Sequence, residues 1–351
     1  MKARAAAIVT VVVVVSVLAA GLGASLLRPA QVPEGVRPIP QGAAILFASN
    51  QDTGGSRKEV YVMGADGTNA ARITYSTMHH FLVGTDPSGR FLILSRAEQD
   101  TDPPAGLGDE DRRALWVVDL ATGNETRLTA LGNRAEGDSV SPDGQWVVFH
   151  MQLAGEFQSD LYRVRLDGTG LTRLTFTEET SECDPAWSPD GAEIAYNCYS
   201  AGTPRFVLKV CSADGGSGRI VYDPVGAVNT TAFPAEAYDP SWSPDCGWIV
   251  FEEPVQFQAE NGGAGVWHIL KVRPNGSDLT DLSEAGGHGG WAEYLPSFSG
   301  NGSRIVFSVR QGPVDPSKVE IDVYSMDSGG GSLERLTSSP AVEDFAVWIQ
   351  R

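Results

Sequence analysis

The sequence predicts an all-β chain, a β-propeller of six four-stranded antiparallel blades. Three observations carry this. A turn of the type Ser-Pro-Asp-Gly is written again and again along the chain. An apolar triplet ending in a large residue recurs every 47 to 56 residues. Long helical patterns are missing, and from about Gly42 onward strand-like runs alternate with Gly, Asp, Asn and Pro.

The turn is clearest at Trp187-Ser188-Pro189-Asp190-Gly191. Proline pre-sets φ, aspartate bonds back to the backbone, and glycine accepts the left-handed conformation that follows. Copies stand at Asp86-Pro87-Ser88-Gly89, Ser141-Pro142-Asp143-Gly144, Ser243-Pro244-Asp245-Cys246-Gly247 and Ser299-Gly300-Asn301-Gly302. The triplets are Ile45-Leu46-Phe47, Leu92-Ile93-Leu94, Val147-Val148-Phe149, Ile194-Ala195-Tyr196, Ile249-Val250-Phe251 and Ile305-Val306-Phe307. A third strand follows each, as at Val60-Tyr61-Val62-Met63 and Leu161-Tyr162-Arg163-Val164, then a polar turn such as Asp66-Gly67 or Asp167-Gly168. A short outer strand closes the unit, as in Arg72-Ile73-Thr74, Arg173-Leu174-Thr175 and Arg335-Leu336-Thr337.

Each unit therefore has strands A to D joined by hairpins. One such sheet has two faces to bury, and radial stacking buries both. The first unit begins at its B strand, and Phe345-Ala346-Val347-Trp348-Ile349 supplies a spare A strand, with Trp348 matching Trp187. That strand is expected to join the first blade and lock the ring. An open sandwich of short hairpins is the competing fold, and it gives no reason for the repeat count and the spare strand to agree.

Residues 1–27 read as a signal peptide or membrane anchor. Lys2 and Arg4 precede an uncharged run from Ala5 to Leu27. Cleavage and retention both remain open, and positive charge before the run puts the remainder outside the cytoplasm, periplasmic or extracellular. Residues 28–41 form a Pro-rich linker, and 42–351 the propeller. The formal charge of −18 makes nucleic acid and anionic lipid poor partners. Membrane contact is expected only through the N-terminal segment, and the propeller is expected to be monomeric.

The repeat resembles the WD40-like Asp-Gly repeat of TolB-type β-propellers, best in Asp184-Pro185-Ala186-Trp187-Ser188-Pro189-Asp190-Gly191 and Asp239-Pro240-Ser241-Trp242-Ser243-Pro244-Asp245. The resemblance covers the propeller part only. It implies the fold, and for TolB itself a role with an outer-membrane lipoprotein at the cell envelope. TolB has an α/β domain before its propeller, and similar propellers precede serine-peptidase domains. The sequence leads us to expect neither here.

Ligand contacts are expected where the D–A and B–C loops meet the channel mouth. The candidates there are His79, His80, Glu136, Asp138, Glu182, Asp184, Tyr238, Asp239, Glu293, Tyr294 and Asp344, with His288 and Trp291 on the loop Gly286-Gly287-His288-Gly289-Gly290-Trp291. The long loop after Arg96 adds Glu98, Asp100, Asp102, Asp109, Glu110 and Asp111. Recurring carboxylates admit a channel-mouth cation such as Ca²⁺, since hard cations want several oxygens. Equally, Asp184 and Asp239 recur with the repeat, as structural residues would. No other cofactor is implied, and no metal ligand set can be assigned.

Four cysteines, Cys183, Cys198, Cys211 and Cys246, lie in one stretch, and export would allow disulfides. If Ser188 faces Glu193, an unbroken register brings Cys183 opposite Cys198, and that disulfide is expected. Cys211 is the competing partner for Cys198.

No nucleophile elbow, zinc-protease motif or catalytic triad spacing is found. The leading expectation is a non-enzymatic scaffold of the cell envelope that binds a protein or peptide through its loop face. The alternative is a metal-assisted hydrolase or lyase, with His79 or His80 near Glu136 or Glu182.

Overall fold

A computed structural model describes residues 35–55, 57–76, 80–97, 112–130, 133–153, 156, 158–200, 203–224, 237–256, 265–310 and 320–349. The expected signal or anchor, the first half of the linker, His79 and the acidic residues of the 98–111 loop lie outside them, as do the side chains of Asp138 and a few strand residues. No helix among the described residues is long and apolar enough to cross a membrane.

The described part is an all-β, propeller-like fold of four-stranded antiparallel units. In the first, Glu343–Trp348 pairs with Ile45–Ser49, followed by Glu59–Met63 and Ala71–Arg72. The second runs His80–Thr85, Phe91–Ala97, Arg113–Asp119, Glu125–Arg127. The third runs Arg134–Val140, Trp146–Gln152, Ser159–Arg165, Thr172–Arg173. The fourth is Thr180–Trp187, Glu193–Ser200, Thr203–Ser212, Gly215–Tyr222. The fifth is Tyr238–Trp242, Ile249–Gln256, Val266–Val272, Thr280–Asp281, leading into a short helix, Leu282–Gly286. The sixth is Ala292–Phe298, Arg304–Arg310, Ile321–Asp327, Glu334–Arg335.

The A–B turns form as their chemistry dictates. Ser188 donates its hydroxyl to Asp190 at 2.6 Å and accepts the Glu193 N–H at 2.9 Å, while Gly191 N–H reaches the Ser188 carbonyl at 2.8 Å. Ser141/Asp143, Ser243/Asp245 and Ser299/Asn301 repeat the pattern. At Asp86 and Ser88 the two side chains exchange places, and Asp86 accepts the Phe91 N–H at 2.7 Å.

The Leu-Thr signature of the outer strands has a similar cause. Outer strands are short, and beyond their end a hydroxyl replaces the missing acceptor. Thr74, Thr129, Thr175, Ser283 and Thr337 each accept the N–H of the residue 14 positions earlier, at 2.8 to 2.9 Å.

The apolar cores lie between neighbouring units. Leu46, Val60 and Val62 pack with Leu92, Leu94 and Val118 of the second unit. On the opposite face, Ile45, Phe47, Tyr61 and Met63 pack with Val306 and Val323 of the sixth. The first unit thus buries both faces, against units at opposite ends of the sequence. Burying a side chain the size of Phe47 contributes about 2–3 kcal/mol.

Glycines at the C–D turns make the tightest of these contacts. Gly67 adopts φ +79°, and a Cβ there would stand 2.4 Å from the Leu336 carbonyl oxygen of the sixth unit. Gly215 stands in the same relation to Leu174. Only a residue without a side chain lets the turn rest on its neighbour's backbone.

Candidate functional site

The A strands converge on one cavity of about 320 Å³. Gly84 and Thr85, Gly137 and Ser139, Asp184 to Trp187, Asp239 to Trp242, Leu295 to Ser297 and Phe345 to Trp348 line it. Each A–B pair carries a register shift at this level, at Leu82/Gly84, Gly137/Ser139, Cys183/Ala186, Tyr238/Ser241, Tyr294/Ser297 and, between the first and last strands, Leu46/Ala48. At four of these bulges a non-glycine residue takes a left-handed φ: Asp184 and Asp239 at 49°, Leu295 at 58° and Phe345 at 51°. Aspartate tolerates that region better than leucine or phenylalanine, which gives the recurring Asp-Pro a backbone reason.

The bulge also corrects the cysteine expectation. Below it, Trp187 faces Ile194 and Ala186 faces Ala195, as the unbroken register requires. Above it the register slips by one, so Cys183 faces Asn197 and Cys198 faces Glu182. No disulfide joins the four cysteines. Cys198 and Cys211 are both buried, and burial pushes the Cys211 thiol up to about 11.

Above the bulges the mouth is uneven. On one side runs a row of five half-buried rings, Tyr199, Phe206, Tyr238, Trp267 and Tyr294, with successive centroids 5.1, 5.0, 5.9 and 5.4 Å apart. It starts on a B strand and then alternates between the start of one unit's C strand and the A strand of the next unit. On the other side Phe81 and Phe345 meet edge to face at 6.2 Å, with the Arg113 guanidinium 3.9 Å over Phe81 and the Lys58 ammonium 5.3 Å over Phe345.

Several candidates belong to this mouth. Tyr238 and Tyr294 are in the ring row. Asp184 lines the cavity and accepts the Asn197 side-chain N–H at 2.7 Å, while its own N–H reaches His150 at 3.3 Å. Asp239 lines the cavity as well. Asp344 is paired with Lys58. Glu136 lies between Arg113 at 2.9 Å and Arg134 at 2.6 Å. Burial opposes its charge, but His150 and the two guanidinia hold the carboxyl below its usual range.

Others lie between units. His80 is buried, 3.3 Å from Arg96 and 3.8 Å from Glu59. Glu182 is buried under the hydroxyls of Thr177 at 2.7 Å and Thr180 at 2.6 Å. His288 and Glu293 are buried and bonded to each other. Trp291 packs on Tyr324 and His288. Among the described residues no three or more His, Cys, Asp or Glu side chains are grouped so as to hold a metal ion.

Sequence reasoning missed Glu252. It is buried opposite Tyr238 and accepts the Leu295 N–H at the neighbouring bulge. Burial, partly offset by that N–H and reinforced by the charge of Asp184, pushes its carboxyl up to about 8. Phe206 and Trp267 were missed too. They stand where other units carry Lys58, Arg113, Ser159 and Ile321, so the repeat does not single them out.

A family model described as the TolB beta propeller domain matches residues 108–315. An uncharacterised protein of Agrobacterium fabrum is 27% identical over 213 residues, 59% of this chain and 64% of that protein. A TolB homologue of Chlorobium luteolum is 29% identical over 172 residues, 48% of this chain and 34% of the homologue. The matches thus span less than two thirds of these relatives' own lengths. In three dimensions the chain is similar to TolB from Acinetobacter baumannii, with a TM-score of 0.64 at 18% identity over 89% of this chain and 68% of that one.

Proposed function

The chain belongs to the TolB β-propeller domain family, and from that premise we propose that it is a non-enzymatic binding scaffold of the cell envelope that takes a protein or peptide at its loop face. In this reading residues 42–351 close into a six-bladed ring. Contact between the first and sixth units at Gly67 and Leu336 supports closure. The uncharged run after Lys2 and Arg4 supports export.

The observation that carries the proposal is the row from Tyr199 to Tyr294. Rigid rings with polar handles supply large contact area at low entropic cost, and they dominate protein-binding surfaces. The left-handed bulges hold Asp239 and Leu295 in strained backbone directly beside Tyr238 and Tyr294. The alternative, a metal-assisted hydrolase or lyase, needs His79 or His80 beside Glu136 or Glu182, and His79 lies outside the described residues. His80 instead lies with Arg96 and Glu59, while Glu136 is held by two arginines.

Photo-crosslinking tests the proposal. A benzoylphenylalanine at position 238 or 294, expressed in the native envelope, is expected to capture a polypeptide that the same probe at exposed Leu279 does not. Equal capture at Leu279, or none at the rings, rejects it.

A further inference from the structure

The glycine-rich loop before Ala292 is built around two histidines, each with an oxygen acceptor at both ring nitrogens. His268 Nδ1 lies 2.6 Å from Asp281 Oδ2, and its Nε2 lies 2.7 Å from the Gly289 carbonyl oxygen. His288 Nδ1 lies 2.5 Å from Glu293 Oε1, and its Nε2 lies 3.2 Å from the Gly330 carbonyl oxygen. A neutral imidazole has one N–H and one lone pair. It can satisfy one acceptor and must turn its lone pair on the other. A backbone carbonyl has no proton to give. The imidazolium, with two donors, fits both sites.

The surroundings fix the geometry. Glu293 takes the Ser283 hydroxyl on its other oxygen at 2.5 Å, and Ser283 accepts the Ile269 N–H at 2.8 Å. Asp281 accepts the Glu284 N–H at 2.9 Å. The glycines leave no slack. A Cβ on Gly286 would come within 2.1 Å of the Gly330 carbonyl oxygen, and one on Gly289 within 2.6 Å of Glu284.

We propose that residues 286–291 form a proton-held latch, clamped by the imidazoliums of His268 and His288 and released when they deprotonate. The loop spans the seam between the fifth and sixth units, and the proposal does not depend on what the mouth binds. The charges facing the two rings are known from each packed element. Asp281, Glu253 and Glu293 face His268, with Tyr222 donating to Glu253 at 2.8 Å. Glu293 faces His288, and the charge of His268 opposes it. Burial works against both charges, but the acceptors and carboxylates outweigh it and raise both histidines above their ordinary value. A raised folded value means the clamp is complete below about pH 6.5, the unfolded histidine value, and is lost as pH climbs through the folded one.

The test uses the full chain labelled with ¹⁵N-histidine, with hydrogen exchange of 286–291 corrected for intrinsic rate and referenced to strand Ile249–Gln256. His268→Gln and His288→Gln assign the two signals. Both rings are expected to carry the imidazolium signature at pH 7. From about pH 6.5 up to their titration in the folded chain, the segment's opening should rise about tenfold per pH unit for each proton released, and level off above it. His268→Gln should leave a one-proton dependence. Asp281→Asn, the second variant should that one fail to fold, should move release to lower pH. A neutral ring at pH 7, or exchange that is flat from pH 6 to 9, overturns the proposal.

Discussion

Cys198 stands opposite Glu182, one residue out of step with Cys183, because the bulge at Asp184-Pro185 adds a residue to the A strand between them. The two thiols are therefore offset along the strands, and geometry alone keeps them apart. Under denaturing, non-reducing conditions all four cysteines of the chain should react with a thiol reagent. A peptide joining Cys183 to Cys198 would contradict the register.

The Gly67 turn should be among the least tolerant positions. A methyl group there meets the Leu336 backbone at 2.4 Å, whereas at Gly168 the nearest atom is 3.7 Å away. Both have positive φ, so both pay for the left-handed backbone, about 1 kcal/mol. Gly67→Ala should cost roughly 2–3 kcal/mol beyond that, as overpacking does. Urea midpoints of the two variants separate the contributions, and equal losses would place no close contact at Gly67.

Asp184 lets backbone and ligand roles be distinguished. Both Asp184→Gly and Asp184→Val leave the Asn197 side chain without its acceptor, about 1–2 kcal/mol. Asp184→Gly keeps the left-handed conformation at no further cost, whereas Asp184→Val forces a β-branched residue into that region and should cost on the order of 1–2 kcal/mol more. Thermal denaturation of the pair checks this. A binding defect in Asp184→Gly with the fold intact would identify the carboxylate as a ligand contact.

The buried carboxylates set an alkaline limit on stability. Burial pushes Glu253 up to about 7 and Glu252 to about 8. The fold favours their neutral forms. That stabilisation is complete below the unfolded glutamate value, about pH 4.3, and is lost as pH rises through 7 and then 8. The denaturation midpoint should fall between pH 5 and pH 9, and fall less in Glu252→Gln. An equal fall in both proteins would remove Glu252 from the account.

Most of the architecture was legible because it is periodic. Turn chemistry at Ser188-Pro189-Asp190-Gly191, the apolar triplets and the Leu-Thr ends each repeat for one local reason, and each formed as read. The site was less legible. The bulge inserts its residue without a distinctive sequence sign where Leu295 or Phe345 occupies it, and one residue of slip moves Cys183 to a different partner. The ring row is assembled from B, C and A strands of different units, so no linear spacing announces it. His288 and Glu293 looked like loop chemistry but are packed between units, because the glycines around them draw the loop down onto backbone.

The register of the first unit bears on how the molecule responds to tension. Ile45 pairs with Trp348 and Ser49 with Glu343, so the chain enters one strand and leaves the other at the same end of the pair. A pull between the flanking segments would load these hydrogen bonds one after another, starting at Ile45 and Trp348, in the manner of a zipper rather than in parallel. Such an arrangement yields at low force. A domain tethered through one end and drawn on through the other would part first at the junction of its first and last strands, with the remaining units still folded.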